Sequence, residues 1–393
     1  MIKFKESDNL IIITALRKII EIFFGPFLTA YFIKVSYNSL LDLSIYNIIT
    51  YSVLGIGGII VGYIVRNKFQ LGMFRIGVIS NFIYILCIVI LKESILKYLS
   101  IIAFLYGFSL AVYYYPYNLF LANKVINKER TNYELKKQIV VTATAILTPI
   151  ILGGIITTTT FQLTAIIILF ISLIQIFLSF FIKPKENKNY EFTPIKSFKK
   201  MLKNKDIVNI FKVEYFRGMT VSWGALEVVV VVLIFNAFKT DLNLGILSSI
   251  SSVLMIILQY IYTKKYKDKN DKLVILLCSL IPVISLVFFL KFKSDITVVL
   301  YYFCYTAFIN VLNLIVSIRL YTLANTKIVK EENEMEFWSI RELILNLGRI
   351  TSYCLLFVLS KIGVVFLNYL LIFLTLSIVL MAYYLTKVKR HEK

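Results

Sequence analysis

Long apolar runs alternate with short polar segments along the whole chain. Each run is close to the roughly 20 residues that an α-helix needs to cross the hydrocarbon core of a bilayer. We number the runs as spans 1 to 12, and they cover 10–33, 43–65, 72–91, 98–121, 139–160, 163–182, 213–235, 244–262, 273–290, 296–318, 343–360 and 364–385. The pattern predicts an all-α membrane protein with about twelve transmembrane helices.

The composition supports this prediction. Hydrophobic residues make up 59% of the 393 positions, whereas a soluble domain carries roughly 45–50%, so the surplus must face lipid. The formal net charge is +21, and the basic residues form short clusters between the apolar runs. That placement favours the anionic cytoplasmic leaflet of the lipid bilayer as a partner and excludes nucleic acid.

The basic residues also predict the orientation of the spans. With the N-terminus inside, the inside segments, counted through Arg75 at the start of span 3, carry 32 of the 43 Lys and Arg residues, the outside loops carry 7, and four lie deeper within apolar runs. Because Lys and Arg accumulate on the cytoplasmic side, both termini are predicted to be cytoplasmic. The many Lys, Ile and Asn residues are typical of an AT-rich bacterial genome, which predicts a multi-pass protein of the bacterial inner membrane.

Two polar segments reveal an internal repeat. LANKVINKERTNYE follows span 4 and LANTKIVKEENEME follows span 10, at an offset of 202 residues with seven identities. At an offset of 200, Arg17 also pairs with Arg217. Six spans per copy give two parallel six-helix repeats, related by an axis along the membrane normal. The predicted division is an N-terminal half (1–183), a basic cytoplasmic linker (184–212) that includes an interfacial amphipathic helix, and a C-terminal half (213–393).

This organisation resembles the major facilitator superfamily. The family carries G-x-x-x-D-x-x-G-[RK] between spans 2 and 3, and this chain has Gly62-Tyr-Ile-Val-Arg66-Asn-Lys-Phe-Gln-Leu-Gly72, with Arg66 in place of the acidic residue. Span 5 carries Pro149 followed by Gly153 and Gly154, which is similar to the family's exporter motif and favours efflux. A proline kink with small-residue helix packing is the alternative reading. The resemblance implies a secondary transporter whose spans 1, 4, 7 and 10 line a central cavity.

Ionisable and polar residues within the spans are the first candidates for the functional site, because a charge at bilayer depth is costly unless it is paired or hydrated. They are Arg17 and Glu21 in span 1, Arg217 and Glu227 (with Thr220 and Gly224 at helical spacing) in span 7, and Glu342, Asn346 and Arg349 in span 11. Glu21 or Glu227 is predicted to take up and release a proton during transport. Arg–Glu pairs that only hold helices together are the alternative.

Polar stripes on two further spans indicate the kind of solute. Span 4 carries Tyr106, Tyr113 and Tyr117 on one face, and span 10 carries Thr306, Asn310, Asn313 and Ser317 at steps of four, three and four residues. Lining a cavity, these groups would suit a small amphipathic or sugar-like molecule better than an inorganic ion. Interhelical hydrogen bonding and aromatic packing would explain the same stripes.

The remaining sequence features limit the function further. The chain has no Walker phosphate loop, its single histidine is His391, and its four cysteines lie in apolar runs, so we expect no enzyme activity, no metal and no cofactor. The repeated Lys128–Glu129 and Lys330–Glu331 pairs are predicted gate elements at the cytoplasmic mouth. The interpretation is a monomeric, proton-coupled transporter; a lipid or glycolipid flippase and a non-transporting sensor or assembly partner are the alternatives.

Overall fold

The computed structural model describes residues 6–36, 39–65, 69–124, 127–182, 191–221, 223–266, 271–324, 326, 329, 334–363 and 365–389. Within these residues the regular structure is helical. The helices of the N-terminal part are α1 (Glu6–Ile22), α2 (Leu28–Val35), α3 (Leu40–Val65), α4 (Gln70–Leu91), α5 (Leu99–Lys124), α6 (Asn127–Thr158) and α7 (Phe161–Phe180). Those that follow are α8 (Pro194–Met201), α9 (Lys205–Thr220), α10 (Ala225–Phe238), α11 (Asp241–Ile261), α12 (Asp271–Phe292), α13 (Asp295–Ala324), α14 (Glu334–Ile362) and α15 (Val365–Lys387).

These helices account for twelve membrane-spanning segments. Ten stretches are long and apolar enough to cross a membrane, and one of them, Gln70–Tyr117, contains both α4 and α5. The remaining span is formed by α1 and α2, which a π-helical turn at Phe23–Phe27 joins around Pro26. The expected all-helical fold with about twelve spans is confirmed.

The two repeats use the same packing partners. In the N-terminal half α4 packs on α5 and α7, and α1 packs on α6 and α7. In the C-terminal half α12 packs on α13 and α15, and α9 packs on α14 and α15. Since α4 and α12 are the third spans of their halves and α1 and α9 the first, each contact of one half has its counterpart in the other. This equivalence is what a parallel duplication produces.

Two compact units divide the chain. Unit 1 comprises residues 1–38, 49–192 and 240–249, and unit 2 comprises 39–48, 193–239 and 250–393. The first turns of α3 therefore group with unit 2, and the first turns of α11 group with unit 1.

Apolar side chains cover the outside of the helices. Many large hydrophobic residues are more than half exposed, among them Ile56, Ile90, Ile101, Phe170 and Val287. Buried polar side chains lie instead between helices, where they find hydrogen-bond partners. A surface of this kind is stable in lipid and not in water.

Span 7 is a broken helix, which corrects the continuous helical spacing expected from Arg217 to Glu227. α9 ends at Thr220 and α10 begins at Ala225. Trp223 adopts a φ of 71°, in the left-handed region that L side chains rarely occupy. A Cβ at Gly224 would lie 2.5 Å from the carbonyl oxygens of Gly218 and Met219. Glycine therefore allows the chain to turn tightly at this break.

Arginine side chains hold the last carbonyl groups of two equivalent helices. In unit 1 the Arg75 guanidinium donates to the carbonyl oxygens of Ser179, Phe180 and Ile182 at the end of span 6. In unit 2 the Arg319 guanidinium donates to the carbonyl oxygens at the end of span 12. Terminal carbonyls of a helix lack intrahelical donors and attract positive charge, so both arginines stabilise the bundle at these helix ends.

Glycines allow close helix contacts in both units. In unit 1 Gly153 of α6 faces the backbone oxygen of Asp241, and Gly245 of α11 faces that of Pro149. The Pro149–Gly153 segment, which resembles an exporter motif, thus forms a small-residue helix contact. In unit 2 Gly348 of α14 faces the carbonyl of Tyr215. Contacts of this type let helix backbones approach each other closely.

The linker contains the expected amphipathic helix, α8. It begins with Pro194 at its first turn and carries Lys199 and Lys200 in its last turn. Ile195 and Phe198 are exposed on it, and Met201 is buried. Exposed apolar residues beside lysines are typical of a helix that lies in the membrane interface.

Candidate functional site

A buried guanidinium organises the polar cluster of unit 1. Arg17, in α1, is 3% exposed. Its Nε donates to Glu21 Oε1 at 3.3 Å and to the Tyr114 hydroxyl at 3.3 Å, and its Nη1 donates to Asn81 Oδ1 at 3.0 Å. The Tyr114 hydroxyl donates in turn to Glu21. Arg17 and Glu21 thus form an ion pair one helical turn apart, held by groups from spans 3 and 4.

Aromatic rings enclose this ion pair. The Arg17 guanidinium carbon lies 4.6 Å from the ring centroid of Tyr113 and 5.1 Å from that of Tyr114. A guanidinium over an aromatic face gains cation–π attraction, which is strongest where water is excluded. The Glu21 side chain is 16% exposed, and Lys18 lies 3.9 Å from its second oxygen. Glu21 is therefore the more accessible member of the ion pair.

Two donors of the cluster remain without an acceptor among the described residues. They are Nη2 of Arg17 and Nδ2 of Asn81, both buried. The two side chains share a hydrogen bond through other atoms, in which Arg17 Nη1 donates to Asn81 Oδ1. An unsatisfied buried donor costs about 1–3 kcal/mol. This place therefore favours an added oxygen acceptor.

The predicted tyrosine stripe of span 4 is buried within unit 1. Tyr106 stacks on Tyr84 with ring centroids 4.5 Å apart, and Tyr113 stacks on Tyr117 at 5.5 Å. The Tyr117 hydroxyl is 2.5 Å from Thr14 Oγ1. Tyr113 and Tyr117 take part in the polar cluster through Arg17 and span 1, whereas Tyr106 packs among aromatic rings.

A second charged cluster lies in unit 2 around Glu214, which is 0% exposed. Arg341 Nε donates to Glu214 Oε2 at 2.6 Å, and Arg217 Nη1 donates to Oε1 at 2.9 Å. Arg341 Nη1 also donates to Glu342 Oε2 at 2.9 Å. Nε of Arg217 is buried and has no acceptor among the described residues. The cluster joins α9 to α14.

The stripe predicted on span 11 forms as expected from its spacing. Asn346 Nδ2 is 3.3 Å from Glu342 Oε1, and Arg349 Nη1 donates to Asn346 Oδ1 at 2.7 Å. Arg349 lies 3.7 Å from Glu342 and 5.2 Å from the ring centroid of Trp223. With Arg217 and Arg341, this stripe gives the unit 2 cluster three arginines and two glutamates, a net charge of +1.

The other predicted residues of spans 7 and 10 make contacts within their own span and with a neighbouring helix, since Thr306 Oγ1 lies 2.5 Å from Ser251 Oγ of α11. Glu227 Oε2 accepts from the backbone N–H of Trp223 at 2.9 Å, which caps the first turn of α10. Asn310 Nδ2 donates to the Thr306 carbonyl at 2.7 Å, and Oδ1 of Asn313 is buried with no donor among the described residues. Glu227 thus has a defined role in the backbone break of span 7.

The predicted gate residues fall where side chains are not described. Lys330 and Glu331 lie outside the described residues, as does Arg66, and the side chains of Lys128 and Glu129 are not described either. In the part of the chain that the structure does describe, no group of three or more His, Cys, Asp and Glu side chains could hold a metal ion.

Sequence reasoning missed several members of these clusters. Asn81 and Tyr114 complete the Arg17 site, and Arg341 completes the Glu214 site. Asn81 had a visible signal, since it is a polar amide in the middle of the apolar span 3. Arg341 lay in a segment that the charge pattern assigned to the cytoplasmic loop.

Comparison with known proteins identifies the fold. No protein-family model and no curated protein matches the sequence. A crystal structure of the nucleoside transporter NupG is similar, with a TM-score of 0.69 and 13% identity, over 99% of this chain and 100% of that one. Two structures of POT family transporters are similar over 98% of this chain and 96% of theirs. One, in complex with a thioalcohol-conjugated peptide, has a TM-score of 0.70 and 12% identity. The other, in complex with 5-aminolevulinic acid, has a TM-score of 0.69 and 13% identity.

These structural neighbours are transporters and not enzymes, and the similarity extends over nearly the whole length of each chain. At 12–13% identity it concerns the fold. The twelve spans, the paired packing of the two halves and this similarity together show that the chain shares the fold of these transporter structures, which is the fold that the resemblance to the major facilitator superfamily predicted.

Proposed function

We propose that this chain is a proton-coupled secondary transporter that moves a small amphipathic or sugar-like solute across the bacterial inner membrane by alternating access. Glu21 is the proposed proton carrier. The observation that carries the proposal is the Arg17–Glu21 ion pair, buried between spans 1, 3 and 4 with Tyr114 and Asn81 around it. Intramembrane ionisable groups of this kind are typical of proton relays and substrate pathways.

Coupling follows from the charge balance of the pair. With Glu21 ionised, its negative charge compensates Arg17. Protonation of Glu21 removes that charge and leaves the guanidinium without a counter-ion in a site of low dielectric constant, which is costly. A solute that brings a negative or strongly accepting oxygen to Arg17 lowers this cost. Proton and solute therefore favour each other's binding, and this coupling is reciprocal.

The unsatisfied donors indicate the chemistry of the solute. Nη2 of Arg17 and Nδ2 of Asn81 would both be satisfied by a carboxylate or by neighbouring hydroxyl or carbonyl oxygens. The surrounding rings of Tyr113 and Tyr114 offer apolar faces to the rest of the molecule. One structural neighbour is a nucleoside transporter, and the two POT family structures contain a thioalcohol-conjugated peptide and 5-aminolevulinic acid. This analogy rests on the fold and supports the class of small polar organic solutes only.

Glu21 is a better candidate than Glu227 for the proton. The Glu227 carboxylate accepts a backbone hydrogen bond that closes the break in span 7, and a neutral glutamine would keep an acceptor there. Glu21 accepts hydrogen bonds from the Arg17 guanidinium and the Tyr114 hydroxyl, and both bonds depend on the charge of Glu21. The coupling of proton and solute favours uptake, because the proton gradient across a bacterial inner membrane is directed inward. Efflux, which the span 5 segment that resembles an exporter motif favours, would require proton and solute to compete for the site.

The test uses proteoliposomes that contain a pH-sensitive dye. Nucleosides, dipeptides, 5-aminolevulinic acid and sugars are added outside, and solute-dependent pH change is recorded for wild type, Glu21→Gln and Glu227→Gln. We expect Glu21→Gln to abolish the pH change while still exchanging labelled solute, and Glu227→Gln to behave like wild type. Proton movement that survives in Glu21→Gln, or is lost in Glu227→Gln, would refute Glu21 as the carrier.

A further inference from the structure

A second site lies in unit 1. A cavity of about 390 Å³ is lined there by the end of α2, the 3₁₀-helical segment Lys92–Tyr98 before α5, the end of α6, the start of α7 and the start of α11. Small-molecule sites in proteins measure roughly 300–1,000 Å³. The lining side chains that bear on its chemistry are Tyr31, Lys34, Glu93, Phe161, Gln162 and Asp241. None of them belongs to the Arg17 cluster.

Aromatic rings form one rigid wall of this cavity. Tyr31 stacks on Phe161 with ring centroids 3.9 Å apart and planes 6° from parallel, and Phe161 stacks in turn on Phe23 at 4.9 Å. Gln162 Nε2 donates to the Tyr31 hydroxyl at 2.8 Å, which fixes the rotation of that ring. A fixed aromatic face is the kind of surface on which organic cations bind.

The charged wall carries an excess of negative charge. Lys34 Nζ lies 2.5 Å from Asp241 Oδ2, and Asp241 is only 6% exposed. The start of α11 is held in place next to it, because the Leu242 N–H donates to Thr157 Oγ1 at 3.1 Å. Glu93 also lines the cavity, is exposed to solvent and forms no ion pair among the described residues. One lysine and two carboxylates leave a net charge of −1 in a chain whose net charge is +21.

We propose that this cavity binds a small organic monocation, such as a primary or quaternary ammonium compound, beside Tyr31, Glu93 and Asp241. The ligand neutralises the charge of Glu93 and competes with Lys34 for Asp241. Because Lys34 already pairs with Asp241, the ligand must displace it and thereby weakens the ion pair that joins α2 to α11. The site is independent of the proposed proton carrier.

Competition between Lys34 and the ligand predicts opposite effects of two substitutions on binding. Removing Lys34 leaves Asp241 without its cation, so the Lys34→Met variant is expected to bind the ligand more tightly. Glu93→Gln removes the ion pair between this residue and the bound ligand, which solvent partly screens. This variant is expected to bind the ligand about fivefold more weakly, which corresponds to roughly 1 kcal/mol. Asp295→Asn removes an exposed carboxylate that begins α13 in unit 2 and is expected to leave binding unchanged.

The experiment is isothermal titration of the purified full chain in a maltoside detergent, which contains no ammonium group. The probes are choline, ethylammonium and the neutral isostere of choline in which carbon replaces the quaternary nitrogen. We expect millimolar binding of the two cations, none of the isostere, and the opposite shifts in Lys34→Met and Glu93→Gln. Equal binding of the isostere, no heat from either cation, or weaker binding in Lys34→Met would overturn the proposal. Circular dichroism melting of each variant establishes that it is folded.

Discussion

Neutralising Glu214 should strongly destabilise the C-terminal half. Its carboxylate is 0% exposed and accepts charged hydrogen bonds from Arg341 at 2.6 Å and from Arg217 at 2.9 Å. Breaking a buried pair by removing one partner costs about 3–5 kcal/mol. Arg341 would keep Glu342 as a partner, and the glutamine of Glu214→Gln keeps one acceptor oxygen. We therefore expect Glu214→Gln to lower the free energy of unfolding by about 3 kcal/mol, the lower end of that range.

The loss should depend on Arg217. Its Nε already has no acceptor among the described residues, so in Glu214→Gln this guanidinium is left buried without any carboxylate. The double variant Glu214→Gln/Arg217→Gln removes the stranded charge and should be less destabilised than the sum of the single variants, by about 1–3 kcal/mol. Unfolding by titration with dodecyl sulfate from mixed micelles measures these free energies.

A matched control lies in the N-terminal half. Lys18 is 37% exposed and sits 3.9 Å from Glu21, so the Lys18→Gln variant should change the unfolding free energy by about 0.5 kcal/mol or less. An effect of Glu214→Gln as small as that of the control, or strictly additive effects of Glu214→Gln and Arg217→Gln, would show that the buried cluster does not hold α9 and α14 together.

Two further predictions concern helix contacts. Gly348→Ala should destabilise the protein by about 1–3 kcal/mol in the same titration, because the added Cβ would meet the carbonyl of Tyr215. In the control Gly154→Ala nothing lies within 4 Å of the added Cβ, so this variant should be neutral or slightly stabilised. Equal losses of stability in the two variants would argue against the close contact at Gly348. Arg75→Gln should lower the free energy of unfolding by about 1–3 kcal/mol, because carbonyls such as that of Ile182 lose their charged donor. An unchanged free energy of unfolding would mean that solvent or lipid headgroups replace the guanidinium as donor.

The sequence predicted the fold well because a membrane imposes strong constraints on it. Each span must be apolar over a fixed length, and the duplication leaves matching residues at a fixed offset. For the same reason charged positions such as Arg17 and Glu21 were visible as candidates, since burying them in lipid is costly. The Glu342–Arg349 stripe followed from helical spacing alone and forms a continuous chain of contacts.

The partners across helices could not be predicted in this way. Tyr114 bonds to Arg17 although the predicted stripe contained its neighbour Tyr113, because successive residues of a helix point about 100° apart and the sequence does not fix the rotation of span 4. Arg341 was assigned to a loop because a few residues of error in a span boundary move a charge from the loop into the helix. The break in span 7 was hidden, since Trp223 and Gly224 lie within an apolar run.

The two halves show how a duplicated scaffold acquires different chemistry. Arg17 and Arg217 are repeat equivalents on the first span of each half, and both pair with a glutamate of the same helix. The other partners of Arg17 are the neutral side chains of Asn81 and Tyr114. The positive charge of Arg17 is therefore compensated only while Glu21 is ionised. Arg217 shares Glu214 with a second arginine. Loss of the charge of Glu214 would leave Arg217 without a carboxylate and Arg341 with Glu342 alone. This difference favours a structural role for the cluster in the C-terminal half, whereas the Arg17–Glu21 pair is the proposed proton site of the N-terminal half.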